Sequence, residues 1–338
     1  MLEESIHPKI SVLIPVYNVE KYVKRCLSSV LNQTMQEGVE VIIVNDCTPD
    51  HSIEVIFETL RAYSGNEKGE KMLVRVVNHD TNRGQAAVRN TAMNYATGDY
   101  VIHVDSDDWI EPDMLEEMYR KAISTDADVV ISDYWESTLQ GEIYKSQPHY
   151  ISAPNCICGF LDESLIGTNW NKLVKRSLYT NNDIHFLEGI NLFEDRICNI
   201  RLFLHVQKIA YVSKAFYHYV QYNTTSITKH VTRKNLENSV SYLNFIENNL
   251  SEEYQDAKGI SKVKVLCHLL YNSTGVLQNE YYRSFQIRLK DVLRCSTIIW
   301  HLKVQMVFIV LRMPYMFNLI RRMKRLVIRR NHHFLYDK

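Results

Sequence analysis

The first 135 residues alternate between short runs rich in β-branched residues and amphipathic stretches, and this alternation limits the possible folds more than any other feature. The runs predict buried strands at residues 10–16, 39–44, 72–77, 100–104 and 128–132. The amphipathic stretches predict helices at residues 20–32, 53–63, 85–96 and 114–123. Because strands that alternate with helices are usually parallel and covered on both faces, we expect an α/β fold with a mostly parallel sheet.

The regular alternation ends near residue 140. Residues 140–160 are mixed and loop-like, and residues 160–225 are rich in aromatic side chains and predict short helices and turns. Residues 232–330 have a helical pattern with few glycines and one proline, Pro314. We therefore expect a helical region after the α/β part of the chain.

Composition and charge exclude several classes of protein. Acidic and basic residues balance at 39 each, so no excess of positive charge indicates a nucleic-acid partner. The seven cysteines are scattered and odd in number, which is typical of reduced thiols in a cytosolic protein. Residues 1–9 lack the apolar core of a secretory signal, and no run of about 18 uncharged apolar residues predicts a membrane-spanning helix. These observations predict a cytoplasmic location.

Polar residues follow four of the predicted strands at the point where each strand ends. They occupy residues 15–18, 45–48, 78–80 and 105–108. In open sheets of this kind, ligands bind beyond the carboxyl ends of the strands. The sequence therefore predicts a binding site assembled from four separate segments.

Asp105 and Asp107 are the clearest candidates for chemistry at this edge. They follow the predicted buried strand at residues 100–104, so at least one carboxylate must face the cleft beyond the strand. Carboxylate oxygens suit Mg²⁺ or Mn²⁺, and Mg²⁺ binds through one or two carboxylates together with substrate phosphates. The pair therefore indicates a metal site for a nucleotide diphosphate, with a solvated acidic turn as the alternative.

Two further segments supply candidates for nucleotide contacts. Asp46 ends the second predicted strand, where an acid can accept hydrogen bonds from a base or a ribose, although a cap or turn role is the alternative. Asn82 and Arg83 precede Gly84, which permits close backbone approach to a ligand. Arg83 or Arg89 can bind phosphate or ribose through its guanidinium. Tight packing of the alanine-rich helix on the sheet explains this segment as well.

Four stretches, in order, resemble the inverting glycosyltransferases of family 2, which have the GT-A fold. They are SVLIPVYN at 11–18, IIVNDCTPD at 42–50, NRGQAAVRN at 82–90 and GDYVIHVDSDDW at 98–109. The match covers about the first 120 residues and thins downstream to Trp170-Asn171-Lys172, Glu194-Asp195 and a tyrosine-rich stretch ending at Ser226.

The resemblance implies a particular domain organisation. A GT-A domain with a Rossmann-like, mostly parallel sheet and helices on both faces would occupy residues 1–225. Its donor half would span about 8–135 and its acceptor half about 136–225. A helical C-terminal region would follow at 226–338.

The resemblance also implies site roles. Residues that would border the nucleotide and the donor sugar are Pro15, Tyr17, Asn18, Glu20, Asp46, Asn82, Arg83, Gly84, Arg89, Asp105 and Ser106. Asp107, with Asp105, would bind the divalent metal, Mn²⁺ or Mg²⁺, that bridges the diphosphate. Asp195 would be the general base, although acids in a first helical turn are often caps. Asn45 stands where many members of the family have an acid, which leaves the base contact to Asp46.

The implied activity is metal-assisted, inverting transfer of a sugar from a nucleotide-diphosphate donor to a hydroxyl of a glycan or a lipid-linked acceptor. Uracil is the base expected from the family, and the family implies a role in polysaccharide biosynthesis of the cell envelope. Trp170 and Glu194 are candidates for contacting the acceptor, while His218 is better explained as structural than as a metal ligand.

Two alternatives to this activity are a sugar nucleotidyltransferase and a catalytically silent GT-A glycan-binding protein. The first usually has a glycine-rich phosphate loop near the first strand, whereas residues 15–20 contain no glycine. Intact Asp105, Asp107 and Asp195 argue against the second.

The C-terminal region is basic and apolar. No acidic residue occurs between Val292 and Tyr336, and the apolar runs are interrupted by Arg294, Lys303, Arg312, Arg321, Arg322, Lys324, Arg325, Arg329 and Arg330. This pattern is typical of helices that lie in a membrane interface beside anionic lipids. We expect peripheral contact with the inner face of the cytoplasmic membrane through residues 292–330, with packing on the protein's own domain or on another subunit as the alternative.

Overall fold

A computed structural model of the chain describes residues 7–64, 72–223, 233–272, 278–281, 286–296 and 298–320. The described residues form two compact units. The first takes its residues from Met1–Phe160 and Leu165–Lys229, and the second from Leu161–Ser164 and His230–Lys338. Each unit has its own fold.

The first unit combines nine strands with seven helices among the residues that the structure describes. The strands are β1 Ile10–Val16, β2 Val39–Asn45, β3 Leu73–Asn78, β4 Tyr100–His103, β5 Trp109–Ile110, β6 Val129–Thr138, β7 Gly141–Lys145, β8 Lys172–Lys175 and β9 Ile209–Val220. The helices are α1 Val23–Leu31, α2 Ser52–Ser64, α3 Gln85–Tyr95, α4 Met114–Thr125, α5 Ala153–Asp162, α6 Arg176–Asn181 and α7 Glu194–Phe203.

The strands form one sheet in the order β3-β2-β1-β4-β8-β6-β9-β5, and β7 pairs with β6. Strands β1 to β4, β6 and β9 run in one direction, whereas β5, β7 and β8 run in the other. The predicted α/β fold with a mostly parallel sheet is therefore confirmed. Because β1, β2 and β4 are parallel neighbours, their carboxyl ends meet at one edge.

Continuous burial explains why the first strands form the centre of the sheet. All residues of β2 and nearly all of β1 are buried, and both runs are rich in valine and isoleucine. Gly98 lies just before β4, where a Cβ atom would come within 2.8 Å of the backbone of Ile10 and Ser11. Glycine thus lets the start of β4 approach β1 closely enough to pair.

The structure differs from the prediction after residue 140. Residues 140–160 contain β7 and most of α5, and residues 160–225 contain β8 and the twelve-residue strand β9 in addition to helices. The tyrosine-rich part of β9 alternates between the two faces of the sheet, but its register with β6 shifts between Ser132 and Tyr134. This irregularity and the scarcity of β-branched residues conceal the strand in the sequence.

The second unit is helical in the described residues, as predicted. Its helices are α8 Arg233–Asn249, α9 Gln255–Asn272, α10 Leu289–Arg294 and α11 Trp300–Val310, with a 3-10 helix at Glu252–Tyr254 and further helical residues at 278–281 and 314–320. The Tyr242 hydroxyl on α8 lies 2.9 Å from the Ser261 hydroxyl on α9. None of the helices among the described residues has the length and apolar character needed to cross a bilayer.

Candidate active site

A cleft of about 570 Å³ opens in the first unit beyond the carboxyl ends of β1, β2 and β4. Most of the residues predicted for the site line it: Pro15, Tyr17, Asn18, Asp46, Asn82, Gly84, Asp105, Ser106, Asp107, Trp170, Glu194 and Asp195. Three predicted residues do not line the cleft: Arg89 is buried, whereas Glu20 and Arg83 are not. Residues from three of the four predicted strand-end segments therefore meet at one cleft, whereas none of residues 78–80 lines it.

The segment after β1 forms one wall of the cleft. Tyr17 is 47% exposed there, so a flat aromatic surface faces the opening. Asn18 has a φ of 55°, which asparagine tolerates, and its N–H donates to the Thr48 hydroxyl at 2.8 Å. The Glu20 N–H donates to Asp50, and the Glu20 carboxylate accepts the His51 N–H at 3.2 Å, so Glu20 braces the loop after β2.

Asp46 organises the loop at residues 82–84. Its carboxylate accepts the backbone N–H of Arg83 at 2.9 Å and that of Gly84 at 2.7 Å, and it lies 2.7 Å from the His79 ring. Gly84 has a φ of 85°, a conformation that favours glycine. The Arg83 guanidinium turns outward to an exposed ion pair with Glu188.

The turn after β4 is held from below by Asp108. This residue is fully buried, and its carboxylate accepts the Tyr217 hydroxyl at 2.7 Å and the Val220 N–H at 2.8 Å. The Tyr217 hydroxyl in turn accepts the Asp105 N–H at 3.0 Å. Burial, and then the neighbouring Asp107 and Asp105, raise the pKa of Asp108. Asp108 thus joins β9 to the turn whose other acids border the cleft.

Asp107 lines the cleft, and one of its carboxylate oxygens accepts a hydrogen bond. Its Oδ2 accepts the side-chain N–H of Asn223 at 2.8 Å. Burial and the nearby Asp105 carboxylate raise the pKa of Asp107. Among the residues that the structure describes, no group of three or more histidine, cysteine or acidic side chains could hold a metal ion. Any metal here would therefore depend on one or two protein carboxylates and on oxygens from a ligand.

Arg89 links the turn after β4 to the start of α7. It is 1% exposed, and its Nη2 lies 2.9 Å from Asp105 Oδ1 while its Nε lies 3.3 Å from Asp195 Oδ1. Burial alone would lower the pKa of Arg89, but Asp105, Asp195 and Glu194 together raise it, so the guanidinium stays charged. Its Nη1 lies 3.3 Å from the His103 ring, whose pKa is lowered by burial and by Arg89.

Glu194 and Asp195, at the start of α7, also line the cleft. Asp195 Oδ1 accepts the side-chain N–H of Asn169 at 2.8 Å. Burial raises the pKa of Asp195, and the charge of Arg89 opposes the shift. Burial and the charge of Asp195 raise the pKa of Glu194 to about 8. Phe193, just before the helix, has a φ of 75°, a strained conformation of the kind found at functional sites.

The two aromatic candidates of the acceptor half are packed into the structure. Trp170 borders the cleft but is only 1% exposed, because Tyr217 stacks on it with ring centroids 4.3 Å apart and Tyr219 lies 5.5 Å away. The two ring nitrogens of His218 contact Glu111 at 2.9 Å and Glu142 at 2.7 Å. None of these three residues lines the cleft.

The supporting roles of four residues were not predicted from the sequence, although Asp108 lies in the predicted segment 105–108. They are Asp108, Asn169, Tyr217 and Asn223, each of which holds an acid or a turn of the cleft. Asp108 carries the one signal that was available, since it extends the run of acids after β4. The other three have no local pattern that marks them.

Comparison with known proteins decides the family. The sequence profile of glycosyl transferase family 2 matches residues 11–189. The chain belongs to this family. The protein EpsH of Bacillus subtilis is 33% identical over 305 residues, which cover 85% of this chain and 81% of EpsH. Family membership decides against a sugar nucleotidyltransferase, and the chain is a glycosyltransferase that uses a nucleotide sugar.

Solved structures confirm the fold. The crystal structure of S. aureus TarS 1-349 in complex with UDP-GlcNAc is similar with a TM-score of 0.69 and 20% identity, over 94% of this chain and 92% of that chain. The mannosyltransferase of Pyrobaculum calidifontis in complex with GDP-Man and Mn²⁺ has a TM-score of 0.54 and 12% identity, over 83% and 75%. At these identities the likeness shows the GT-A fold.

Proposed function

We propose that this glycosyltransferase transfers a sugar from a UDP-sugar to a hydroxyl of a glycan or a lipid-linked acceptor, with inversion and with help from a divalent cation. One observation carries the proposal: Asp105, Asp107 and Asp195 border one cleft, and Arg89 binds two of them. Acids from two separate elements therefore meet where a donor diphosphate and an attacking hydroxyl must come together.

The donor nucleotide would bind along the wall formed after β1 and β2. Tyr17 offers an exposed ring for stacking on the base, and Pro15 and Asn18 lie beside it. Asp46 would act mainly through the loop at 82–84, because its oxygens already accept two backbone N–H groups of that loop. That TarS was crystallised with UDP-GlcNAc supports uracil, whereas GDP-Man in the mannosyltransferase makes guanine the competitor.

The donor set at the turn after β4 fits a hard divalent cation. Asp107 would hold it, with Asp105 beside it and Ser106 at the nucleoside, and carboxylate oxygens are the ligands that Mg²⁺ and Mn²⁺ prefer. A bound cation supplies Lewis-acid stabilisation of the charge that grows on the departing diphosphate.

Asp195 would accept the proton of the acceptor hydroxyl. The hydroxyl oxygen bonds to the anomeric carbon, the bond from that carbon to the diphosphate oxygen breaks, and UDP leaves on the opposite face. Arg89 and Asn169 hold the Asp195 carboxylate in place, which leaves it oriented toward the cleft. Glu194, with a pKa of about 8, would stay protonated near neutrality and could donate a hydrogen bond to the acceptor. Trp170 would contribute to acceptor binding indirectly, by packing against Tyr217 and Tyr219.

The first experiment is a panel of UDP-glucose, UDP-GlcNAc, UDP-galactose and GDP-mannose with Mn²⁺. Thermal stabilisation identifies the donor that binds, since binding to the native state raises stability. Release of nucleoside diphosphate then measures turnover, and Asp195→Asn should lower it by about 10²- to 10⁴-fold. Turnover of Asp195→Asn at the wild-type rate would show that Asp195 is not the base, and a product with the donor's anomeric configuration would show that transfer is not inverting.

We also propose peripheral membrane contact through residues 292–330, of which residue 297 and residues 321–330 lie outside the described part of the chain. Trp300, at the start of α11, is 77% exposed, and Leu311, just after α11, and Tyr315 and Leu319, in the helical residues 314–320, are exposed as well. Lys303 and Arg312 occur in the same stretch of the sequence, and no acidic residue follows Asp291 until Asp337. Exposed apolar side chains in a stretch whose only charged residues are basic suit the surface of an anionic bilayer.

Vesicle sedimentation tests this contact with the full chain. Wild-type protein should bind phosphatidylglycerol vesicles and should be released by salt, whereas the triple variant Trp300→Ser, Leu311→Ser, Tyr315→Ser should bind at least about tenfold less. The matched control replaces Leu139 and Ile151, which are exposed apolar residues of the first unit, by serine. Equal binding by the triple variant and the control, or loss of a dimer without any vesicle binding, would contradict membrane contact.

A further inference from the structure

Lys172, the first residue of β8, is a buried lysine whose ammonium makes three hydrogen bonds. Its side chain is 1% exposed, and Nζ donates to the Ile166 carbonyl at 2.8 Å, the Thr168 carbonyl at 2.6 Å and Asn171 Oδ1 at 2.9 Å. An ammonium has three N–H donors, so each has an acceptor. The Phe160 ring lies 5.4 Å from the same nitrogen.

The backbone that Lys172 holds is a wall of the active-site cleft. Ile166, Gly167 and Thr168 line the cleft in a segment without helix or strand structure, so their carbonyls need donors from elsewhere. The next residue, Asn169, donates its side-chain N–H to Asp195. Lys172 therefore anchors the segment that leads directly to the group that contacts Asp195.

A second contact shows that this segment is held from both sides. The side-chain N–H group of Asn199, on α7, donates to the Gly167 carbonyl at 3.2 Å and to Asn169 Oδ1 at 2.7 Å. Asn199 also donates to the Asp195 carbonyl at 2.9 Å. The orientation of the Asn169 amide is thus fixed by α7 on one side and by the backbone anchored on Lys172 on the other.

Keeping a charge at this position is costly, which argues against a role in packing alone. Burial lowers the pKa of Lys172 to about 7, although Asp195 and the Cys156 thiol oppose the shift. A methionine of similar length would fill the same space without this penalty. The lysine adds three hydrogen bonds and a positive charge near Asp195.

We propose that Lys172 is a positioning residue for sugar transfer: its ammonium fixes the cleft wall at residues 166–169 and so holds the Asn169 amide against Asp195. This inference rests on the proposed role of Asp195 as the general base. The charged groups that face Asp195 are Arg89 and Lys172, which favour its ionised form, and Asp105 and Glu194, which oppose it. Loss of Lys172 therefore changes both the orientation of Asp195 and the balance of charge around it.

The test compares Lys172→Met and Lys172→Gln with a matched buried lysine, Lys258. Lys258 is 2% exposed in the second unit, where its Nζ donates to the Leu250 carbonyl at 2.6 Å, and it lines no part of the cleft. Release of UDP is measured from pH 5 to 9 with the donor that turns over fastest in the nucleotide-sugar panel, and thermal unfolding checks that each variant folds.

We expect Lys172→Met to lower kcat about 10- to 100-fold with the donor KM changed less than about threefold, because positioning of the base is lost and nucleotide contacts are kept. The acid limb of the kcat profile should move up by about half a pH unit or more, since a positive charge near Asp195 is removed. Lys172→Gln should recover part of the loss, because its amide still has two N–H donors. Lys258→Met should lower the melting temperature but leave kcat and the pH profile within about twofold.

A double-mutant cycle separates positioning through Asn169 from other effects. If both residues act through one contact, Lys172→Met combined with Asn169→Ala should lose no more kcat than the more damaging single variant. Additive losses, or a Lys172→Met enzyme with wild-type kcat and pH profile, would overturn the inference. An equal loss of kcat in Lys258→Met would overturn it as well.

Failure of a variant to fold and failure of the proposed base can each be told apart from failure of the inference. If Lys172→Met does not unfold cooperatively, Lys172→Gln decides: a lowered kcat with a shifted acid limb supports the inference, and an unchanged profile overturns it. If Asp195→Asn keeps wild-type turnover, the proposed function fails at its base. An inactive Asp195→Asn beside an unaffected Lys172→Met overturns the inference alone.

Discussion

Arg89 binds Asp105, with 2.9 Å between Nη2 and Oδ1, and the same guanidinium lies 3.3 Å from Asp195. Asp105 lies in the turn after β4, beside the proposed metal ligand Asp107, and Asp195, the proposed base, lies in the first turn of α7. One buried cation therefore sets the spacing of the donor side and the acceptor side. This arrangement explains how acids from distant parts of the chain can share one cleft without mutual repulsion opening it.

Replacement of Arg89 by methionine should destabilise the fold strongly. Arg89→Met leaves Asp105 and Asp195 near each other without their shared cation, and breaking a buried charge pair typically costs about 3–5 kcal/mol. Urea unfolding at pH 7 measures the free energy of unfolding. The matched control is Arg83→Met, which removes only an exposed ion pair with Glu188 and should cost less than about 1 kcal/mol. Similar losses in the two variants would contradict the bridging role of Arg89.

Replacement of Asp46 by asparagine should weaken the fold before any nucleotide is added. The new amide has an N–H group where the carboxylate accepts from Arg83 and Gly84, so at least one backbone donor loses its partner, at about 1–3 kcal/mol. Thermal unfolding of the unliganded protein and titration with UDP give the two readouts. Unchanged stability with lost UDP affinity would show instead that Asp46 contacts the base directly.

Glu194 should make stability depend on pH. The pKa of Glu194 rises from an ordinary 4.5 to about 8 in the fold, so its stabilising contribution is complete below about pH 4.5 and is lost as the pH rises through 8. We expect the free energy of unfolding to fall by up to about 4 kcal/mol from this source between pH 5 and 9, and Glu194→Gln to remove that fall. Urea unfolding at pH 5, 7 and 9 measures it. Glu188→Gln, at an exposed acid, is the control and should leave the slope unchanged, whereas an unchanged slope in Glu194→Gln would refute the prediction.

Tyr217 should link stability to the turn that carries the proposed metal ligands. Tyr217→Phe removes the hydroxyl that donates to the buried Asp108 and accepts from the Asp105 N–H, which should cost about 1–3 kcal/mol. Tyr100→Phe, which loses a single hydrogen bond to the Ala127 carbonyl, should cost about 1 kcal/mol and is the control. Chemical unfolding compares the two. A smaller loss in Tyr217→Phe than in the control would contradict the bridging role.

The parts of the fold that could be predicted are those with local patterns. Strands β1 to β4 and helices α1 to α4 occur within a few residues of their predicted positions. Strands β1, β2 and β4 are buried, as continuous apolar runs predict. The predicted burial of the strand at 72–77 is wrong, because β3 lies at the end of the sheet and Leu73 and Arg75 are exposed. Strand β9 was missed, since its aromatic residues and its irregular register with β6 do not form a clear period of two.

Site residues could be predicted where they stand together in one short segment of the sequence, but contacts between distant segments could not. The acids after β4 stand together in the chain, so their common position at a strand end could be inferred. The contact of Asn169 with Asp195, the sharing of Arg89 and the bond from Tyr217 to Asp108 join residues far apart in sequence. Such pairs depend on tertiary packing, and no local spacing encodes them.

Anomalous scattering from crystals soaked with Mn²⁺ and UDP tests the central claim most directly. We expect a manganese peak beside the Asp107 carboxylate and the diphosphate, with the uracil ring against Tyr17, and no such peak in Asp107→Asn crystals. UDP bound in the cleft with no manganese at Asp107, or a cleft that stays empty while manganese binds elsewhere, would contradict it.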